Sequence, residues 1–296
     1  MKTQCPVCRI SSELAFITKD WNRKVSQEAF EYRKCLKCGL TFLANSPDNL
    51  GAYYGESYYR QPLFKKIENA AKKSSYQLAM IKQFVKGGRL LEVGSGYGVF
   101  ALQAKNGGFK VDVIERGEKC CDFLSKFIGV NVIKSDQPHK IIESAEEYDV
   151  IALWQVIEHL SNPWEFLSMA AKKLKLNGVM VIATPSPSAL QFGLLGEKWP
   201  HVDAPRHLWL FPVELLINYL IPFGLEPVMV TFNDQGAKAW NRFGWQHYLM
   251  NKSSNKLFQA IAFAAGYFIS LTMNIFENRK NRGSAYTIIL KKREEV

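Results

Sequence analysis

Short apolar runs alternate with segments of helical spacing through most of the chain after residue 86. Apolar runs of this length are typical of strands, and apolar residues at every third or fourth position are typical of helices. The predicted strands are residues 90–93, 111–115, 130–133, 150–153, 179–183, 228–232 and 284–290. This alternation predicts an α/β fold, in which helices cover both faces of a mostly parallel sheet and ligands bind at the carboxyl ends of its strands.

The first of these strands ends in three glycines at alternate positions. Gly94, Gly96 and Gly98 lie between Glu92 and the helical pattern that begins at Val99. Glycines allow unusual backbone angles and let a ligand lie against the chain, and a helix start supplies free N–H groups. The Gly-x-Gly-x-x-Gly pattern of dinucleotide sites would need a glycine at Val99. The loop therefore favours a cofactor without a pyrophosphate.

The loop and two later segments together resemble the class I S-adenosylmethionine-dependent methyltransferases. The similar residues are Glu92 to Gly98, then Glu115 at the end of the second strand, then 148–160 (YDVIALWQVIEHL). The similarity is closest to the branch of ubiquinone-type O-methyltransferases and sugar methyltransferases. It covers roughly residues 75–235 and the last strand. It implies a Rossmann-like fold with a seven-stranded, mostly parallel sheet.

The resemblance also implies how S-adenosyl-L-methionine is bound. Glu92 and the glycine loop would hold its amino-acid portion, Glu115 would hold the ribose hydroxyls, and Asp136 would lie at the adenine edge. The full set of expected cofactor-binding residues is Glu92, Gly94, Ser95, Gly96, Tyr97, Gly98, Glu115, Asp136, Trp154 and Gln155.

Two histidines are candidate catalytic residues. His159 follows the fourth strand, where ubiquinone-type enzymes carry Glu-x-x-Glu-His and can hold a divalent metal ion. Gln155 replaces the first acid here, which weakens a metal site, and the alternative is a structural hydrogen-bonding role. His207 follows the fifth strand and matches a proton-removing histidine of the sugar methyltransferases. Its alternative is a hydrogen bond to the loop backbone. The preceding Arg206, in place of an acid, would suit an anionic substrate.

Four of the six cysteines form two Cys-x-x-Cys pairs near the start of the chain. Cys5, Cys8, Cys35 and Cys38 can close a tetrahedral zinc site. The predicted ribbon, residues 1–44, is too short to bury much core, so structural zinc is expected to hold it together. Redox-active pairs are the alternative. Paired thiols and the lack of an apolar leader pattern predict a cytoplasmic protein.

Residues 45–86 are predicted to link the ribbon to a methyltransferase domain at 87–296. Residues 45–62 are polar and rich in tyrosine, and they either pack the ribbon onto the next domain or cover the active site as a lid. Residues 64–85 show helical spacing of apolar residues, with lysines on the other face.

An apolar insertion, about residues 236–282, separates the last two predicted strands. Residues 257–276 carry no charge and have basic residues on both sides. As a helix they would span about 30 Å. A single membrane crossing is excluded because the last strand must return to the same sheet. A re-entrant hairpin, a helix lying on anionic headgroups, packing on the same domain, and a homodimer contact all remain open.

The formal net charge of +11 points to an anionic partner. The pattern as a whole predicts a zinc-containing methyltransferase that acts on oxygen of a small molecule, such as a sugar of a glycan or glycolipid, or a lipid-like compound. The inner face of the membrane is a candidate location.

The first alternative is an RNA methyltransferase. It is disfavoured because the basic residues are dispersed and residues 153–156 lack an Asn/Asp-Pro-Pro-aromatic motif. A non-catalytic scaffold is the second, and the intact glycine loop and Glu115 disfavour it.

Overall fold

The computed structural model describes residues 3–55 and 61–294. Tyr58 and Tyr59, two tyrosines of the predicted lid, lie outside the described residues. Internal contacts divide the chain into two compact units. The first unit contains Met1–Gly55, Thr184–Leu216 and Thr231–Thr287. The second unit contains Glu56–Ala183, Ile217–Val230 and Ile288–Val296.

Strands and helices alternate along most of the described chain. The strands are β1 (Glu13–Thr18), β2 (Phe30–Lys34), β3 (Thr41–Leu43), β4 (Gly88–Val93), β5 (Phe109–Glu115), β6 (Asn131–Lys134), β7 (Tyr148–Trp154), β8 (Leu174–Pro185), β9 (Trp209–Leu210), β10 (Leu225–Thr231) and β11 (Ala285–Lys292). The helices are α1 (Phe64–Lys73), α2 (Tyr76–Ile81), α3 (Val99–Asn106), α4 (Glu118–Phe123), α5 (Pro138–Glu143), α6 (Pro163–Lys172), α7 (Leu190–Leu195), α8 (Val213–Leu220), α9 (Gln235–Met250) and α10 (Lys256–Glu277).

The first unit contains a four-stranded antiparallel sheet in the order β1-β2-β3-β9. The last strand comes from a distant part of the sequence, and its Trp209 pairs with Phe42 of β3. The side chain of Tyr32 on β2 is fully buried, and its ring stacks on Phe16 at 4.9 Å. Strands β1, β2 and β3 lie within residues 1–44, and no apolar pattern predicted the two-residue strand β9.

Helices α9 and α10 form an antiparallel hairpin in the same unit, joined by five residues. The contact is close because a stripe of small residues on α10 faces α9. A Cβ atom at Gly266 would lie 2.6 Å from the Cα atom of Gln246, and the side-chain amide of Gln246 donates to the carbonyl of Phe263 at 3.1 Å. The stripe buries Ala262, Gly266 and Ser270 and leaves the larger apolar side chains of α10 on the opposite face.

The second unit is built on the seven-stranded sheet, in the order β10-β11-β8-β7-β4-β5-β6. The pairings of β4 with β5 and β7, of β5 with β6 and of β7 with β8 are parallel. The predicted Rossmann-like fold is confirmed. The chain runs outward from β4 to β6 and then crosses to β7 on the other side of β4. The carboxyl ends of β4 and β7 therefore lie at a topological switch point, where open α/β sheets bind ligands.

Two helical segments of the second unit are irregular. The helix expected over 64–85 is interrupted between α1 and α2 at Ser74 and Ser75. Serine side chains compete for backbone hydrogen bonds and favour helix ends over helix interiors. Helix α4 continues into π-helical bonding at Leu124 and stops at Gly129, whose φ is 67°. Neither irregularity changes the strand order of the sheet.

Candidate functional site

The glycine loop after β4 is held open by three residues with positive φ. The φ angles of Gly94, Gly96 and Gly98 are 68°, 55° and 79°. A Cβ atom at Gly94 would lie 2.6 Å from Val156 Cγ2, and one at Gly98 would lie 2.5 Å from Leu124 Cδ2. At Gly96 a Cβ atom would meet no protein atom within 4 Å. The outer two glycines are required by packing, and the middle one borders open space that a ligand could fill.

Glu115, the last residue of β5, ties this loop to the neighbouring strand. Its Oε2 atom accepts a hydrogen bond from the backbone N–H of Gly96 at 2.9 Å. Its Oε1 atom accepts from the N–H groups of Arg116 and Gly117 at 2.9 and 2.8 Å. The side chain is 5% exposed. A carboxylate has about four acceptor positions, and three are used here, so Glu115 can still accept from one hydroxyl of a ribose.

Glu92 lies beneath the loop as a buried acid. The hydroxyl of Ser95 donates to its Oε2 atom at 2.6 Å, and the residue is 3% exposed. Burial raises the pKa of Glu92 to about 8, and the nearby charge of Glu115 acts in the same direction. The side chain is therefore largely protonated at neutral pH. A cation beside it, such as the ammonium of an amino-acid moiety, would favour the charged form.

The raised pKa of Glu92 predicts a pH dependence of cofactor binding. Since the folded-state value lies above the ordinary one, the protonated form is favoured below about pH 8, and the fold loses stability as pH rises from about 4.5 towards 8. An ammonium ligand needs the carboxylate. We expect the affinity for S-adenosylhomocysteine to rise towards about pH 8 and binding at neutral pH to release protons, because Glu92 must ionise. Calorimetry in buffers of different ionisation enthalpy measures that release.

The matched variant is Glu92→Gln, which keeps the shape of the side chain and cannot ionise. Proton release should disappear in this variant. Equal proton release by the natural chain and by Glu92→Gln would contradict the assignment of Glu92 to the cofactor's amino group.

The other expected cofactor residues lie at the ends of β6 and β7. Asp136 follows β6 and is exposed. Trp154, the last residue of β7, contacts Phe100 edge-on at 5.4 Å, and its Nε1 atom has no hydrogen-bond partner among the described residues. Gln155 has a φ of 57°, which is uncommon for a residue with a side chain, and its N–H donates to Ala183 at 2.8 Å. Parallel register places these residues at the same sheet edge as Glu115.

His159 and Tyr97 also lie in this unit. His159 is the last residue of the short 3-10 turn Ile157–His159 that follows β7, and it is half-buried. Tyr97 packs edge-on against Phe123 at 5.3 Å. The catalytic or metal-binding role of His159 and the cofactor-binding role of Tyr97 stay predictions.

His207 belongs to the first unit and is fixed by its backbone neighbours. Its Nδ1 atom lies 2.8 Å from the carbonyl oxygen of His201, and its own carbonyl accepts from the hydroxyl of Tyr32 at 2.6 Å. A carbonyl only accepts, so Nδ1 carries the proton and Nε2 is the basic nitrogen of the neutral ring. The predicted loop hydrogen bond therefore exists and is compatible with a role as base. His201 is buried, which lowers its pKa to about 4, and its Nε2 lies 2.9 Å from the carbonyl of Trp240.

The expectation that Arg206 suits an anionic substrate is corrected by the structure. Arg206 is fully buried, and its guanidinium donates to Asp20 at 2.6 Å and to Asp203 at 2.8 and 2.9 Å. It also donates to the carbonyl of Tyr53 at 3.2 Å. Two carboxylates already balance its charge, so Arg206 is a structural residue of the first unit. Asp20 gave no signal in the sequence, because its partner lies 186 positions later.

The two cysteine pairs form equivalent knuckles. The N–H of Cys5 donates to Ile10 and that of Cys35 donates to Leu40, at 2.8 and 2.9 Å. In each knuckle the residue after the second cysteine has positive φ, 57° at Arg9 and 74° at Gly39. This turn aims both sulfur atoms of a pair at one point.

The sulfur atoms of the two pairs converge into one candidate metal centre. The four Sγ atoms of Cys5, Cys8, Cys35 and Cys38 lie within 4.8 Å of one another, and those of Cys5 and Cys38 are 3.7 Å apart. Four sulfurs at the usual Zn–S distance in a tetrahedron are about 3.8 Å apart. The donor set and spacing therefore fit a four-coordinate zinc ion.

A family described as a methyltransferase domain matches residues 58–230. Among curated relatives, a ubiquinone biosynthesis O-methyltransferase of Rickettsia bellii is 33% identical over 98 residues, which are 32% of this chain and 41% of the relative. The protein of the same name from Cereibacter sphaeroides is 24% identical over 178 residues, 56% of this chain and 70% of the relative. A solved SAM-dependent methyltransferase from Archaeoglobus fulgidus is 21% identical with a TM-score of 0.51, over 77% of this chain and 97% of that one.

The family match covers more than half of the chain, and the fold agrees with it. The chain therefore belongs to this family of methyltransferase domains, in the class I group that uses S-adenosylmethionine. The match to the Rickettsia bellii relative spans about two fifths of that protein's length. The resemblance recognised in the sequence is confirmed.

Proposed function

We propose that this protein transfers a methyl group from S-adenosylmethionine to an oxygen atom of a small acceptor. The observation that carries this proposal is the fixed tautomer of His207, whose Nδ1–H is held by the carbonyl of His201 at 2.8 Å. A neutral imidazole with Nε2 as its basic nitrogen suits removal of a proton from a hydroxyl. The name of the curated relatives, ubiquinone biosynthesis O-methyltransferase, also favours transfer to oxygen.

The cofactor supplies a methyl group on a sulfonium sulfur, which is a good leaving group. Glu92 would neutralise the ammonium of the cofactor, the N–H groups of the glycine loop would contact its carboxylate, and Glu115 would accept from a ribose hydroxyl. The acceptor hydroxyl would lose its proton to Nε2 of His207 as its oxygen takes the methyl group, and the sulfur of the cofactor would leave as a neutral thioether. The protein's contribution is alignment, exclusion of water and this proton transfer.

The experiment that tests the proposal is transfer of labelled methyl from S-adenosylmethionine into extracted lipids, soluble glycans and RNA, each incubated with the full chain. We expect label in an acceptor hydroxyl, as a methyl ether identified by NMR. His207→Ala should lower kcat by about 100-fold or more and leave S-adenosylhomocysteine affinity unchanged, since general-base catalysis contributes on that scale.

Two comparisons make this test specific. His159→Ala, made in parallel, separates the two candidate histidines, and His207→Asn tests whether a hydrogen-bonding side chain without a basic nitrogen restores activity. Full activity in His207→Ala would overturn the assignment of the base. Label confined to RNA and removed by ribonuclease would favour the RNA methyltransferase alternative.

We also propose that Cys5, Cys8, Cys35 and Cys38 hold one structural zinc ion. Four thiolate ligands complete the tetrahedron and leave no position for a substrate. The support is the convergence of all four Sγ atoms within 4.8 Å. Thiols that remain reduced fit the expected cytoplasmic compartment.

The acceptor is proposed to be amphiphilic, such as a sugar of a glycolipid or a lipid-like compound. The support is the exposed apolar face of α10, which carries large side chains such as Ile261 and Phe268. In the labelling experiment, transfer to the lipid fraction is the expected result. Transfer to soluble glycans alone would contradict the lipid-linked acceptor and leave the proposed chemistry intact.

A further inference from the structure

The exposed apolar surface of the described chain is concentrated on α10. This helix is 22 residues long, is the only described helix apolar enough to cross a membrane, and has only 17% of its most apolar stretch buried. Phe268 is 66% exposed and Ile261 is 62% exposed, which is unusual for side chains of this size. The large exposed apolar residues of α10 are Leu257, Phe258, Ile261, Phe263, Tyr267, Phe268, Leu271, Ile275 and Phe276.

The orientation of α10 is fixed by its buried side. Gly266 packs on the backbone of Gln246 in α9, so the small-residue stripe of α10 is covered within the same unit. At the end of the helix, Glu277 is fully buried, and its Oε1 atom accepts from the amide of Gln191 and the indole of Trp245 at 2.8 and 2.9 Å. The helix is therefore anchored along one side, and its apolar face is directed outward by packing.

The charge at the edges of this face is positive. Residues 236–282 contain seven basic residues and one acidic residue, a balance of +6. The acid is Glu277, which is turned inward, and burial raises its pKa. Arg279, Lys280 and Arg282 form no ion pair with any residue that the structure describes. The exposed charges that this segment contributes beside the apolar face are therefore all cationic.

A cavity of about 410 Å³ at the end of α10 is lined by both apolar and basic side chains. Its apolar wall comes from α7 and α10, and the basic residues come from the segment that follows α10. That segment is held in place because the carbonyl of Arg282 accepts from the N–H of Leu190 at 2.9 Å. The lining residues are Leu190, Leu194, Met273, Phe276, Arg279, Lys280 and Arg282.

We propose that α10 docks in the plane of an anionic phospholipid bilayer and that this cavity receives the phosphate of one lipid headgroup. The apolar face matches the acyl boundary, and the cations match anionic headgroups. The positive charge at both ends of α10 disfavours a second copy of this chain as the partner of its apolar face. In a two-fold pair of α10 helices, whether parallel or antiparallel, the basic ends meet basic ends. Because α10 is packed along α9, it would lie in the plane of the bilayer and would contact the bilayer without crossing it.

The first test is flotation of the full chain with vesicles of phosphatidylcholine alone or with added phosphatidylglycerol. Strong binding is expected only with the anionic lipid. Phe268→Asn with Leu271→Asn should lower partitioning at least tenfold, because buried apolar area is lost. The matched control is Leu176→Asn with Ile221→Asn, two similarly exposed apolar residues of the second unit, and it should bind normally.

The basic residues are tested by charge reversal. Arg279→Glu, Lys280→Glu and Arg282→Glu together should lower binding to anionic vesicles by at least about 100-fold, since each cation near such a surface contributes about 1 kcal/mol. The control reverses the same number of charges in the second unit and should retain most binding. Its substitutions are Lys110→Glu, Lys140→Glu and Lys172→Glu.

Charge reversal at the other end of α10 distinguishes the contribution of the cavity from that of basic residues in general. Lys252→Glu with Lys256→Glu reverses the other basic end of α10, which lies outside the cavity lining. The loss per residue should be smaller there, because only the cavity partly desolvates a bound phosphate. An equal loss per residue would overturn the headgroup site.

Two outcomes would overturn docking itself. One is equal binding of the natural chain and the Phe268/Leu271 variant to anionic vesicles. The other is a dimer in sedimentation that this variant converts to monomer without any vesicle binding by the natural chain. Circular dichroism and S-adenosylhomocysteine affinity, measured on every variant, separate lost docking from lost folding and from failure of the proposed activity.

Discussion

Replacing Cys35 by serine is expected to abolish zinc binding and unfold the amino-terminal ribbon. Loss of one of four thiolates breaks the tetrahedral set, and structural zinc in small modules contributes apparent binding free energies of about 10–16 kcal/mol. The natural chain should retain about one zinc ion per molecule through gel filtration, by elemental analysis. The Cys35→Ser chain should retain none, and limited proteolysis should then cleave within residues 3–43.

A cysteine outside the cluster gives the matched control. Cys121→Ser in α4 can keep the hydrogen bond that the thiol donates to the carbonyl of Glu115, and it should bind zinc like the natural chain. A strong chelator added to the natural chain should reproduce the proteolysis of Cys35→Ser. Two results would contradict the zinc proposal. One is unchanged zinc content in Cys35→Ser, and the other is a natural chain that resists protease equally well with and without zinc.

Replacing Arg206 by methionine should cost about 3–5 kcal/mol of unfolding free energy, the usual effect of removing one partner from a buried ion pair. The side chains of Arg206 and Asp20 are fully buried, and that of Asp203 is 16% exposed. Without the guanidinium, two carboxylates face each other with no cation between them. Urea unfolding at neutral pH measures the loss.

The pH dependence identifies the cause of that loss. Burial by itself would raise the pKa of Asp203, but the hydrogen bonds from Arg206 lower it well below its usual range. The stabilisation is thus present above the ordinary carboxyl pKa of about 4 and is lost as pH falls below it. The defect of Arg206→Met should shrink in acid, where protonation removes the unpaired charge.

A variant in which Arg206, Asp20 and Asp203 are all replaced by neutral residues provides the control. Adding Asp20→Asn and Asp203→Asn to Arg206→Met removes the orphaned charges, and it should recover part of the lost stability. A defect in Arg206→Met that is independent of pH and is not relieved by these substitutions would mean that packing, and not charge, explains the role of Arg206.

The parts of the fold that the sequence predicted are those encoded by local patterns. The apolar run at 150–153 predicted a buried parallel strand, and β7 pairs in parallel on both sides. The apolar pattern at 111–115 placed Glu115 at the end of a strand, and its hydrogen bond to the N–H of Gly96 shows that it lies beside the glycine loop. The functional roles of these residues remain predictions that the binding experiments test.

What escaped prediction depends on contacts between distant residues. Strand β9 has two residues, too few for any periodicity, and its pairing with β3 is visible only in three dimensions. The partners of Arg206 include Asp20, far away in sequence, so a buried structural arginine looked like a substrate-binding one. The buried anchor Glu277 appeared in the sequence only as the end of an uncharged run.

The pairing of β3 with β9 has a consequence for how the protein is made. Thr41 pairs with Leu210, so the amino-terminal sheet lacks its last strand until residue 210 has been synthesised. Bringing distant segments together slows folding, because the entropy of closing the loop precedes the gain from the contact. During translation, the edge of the amino-terminal sheet at β3 therefore stays unpaired until β9 emerges from the ribosome. Early zinc capture would give the ribbon a defined shape during that interval, before the rest of its own unit exists.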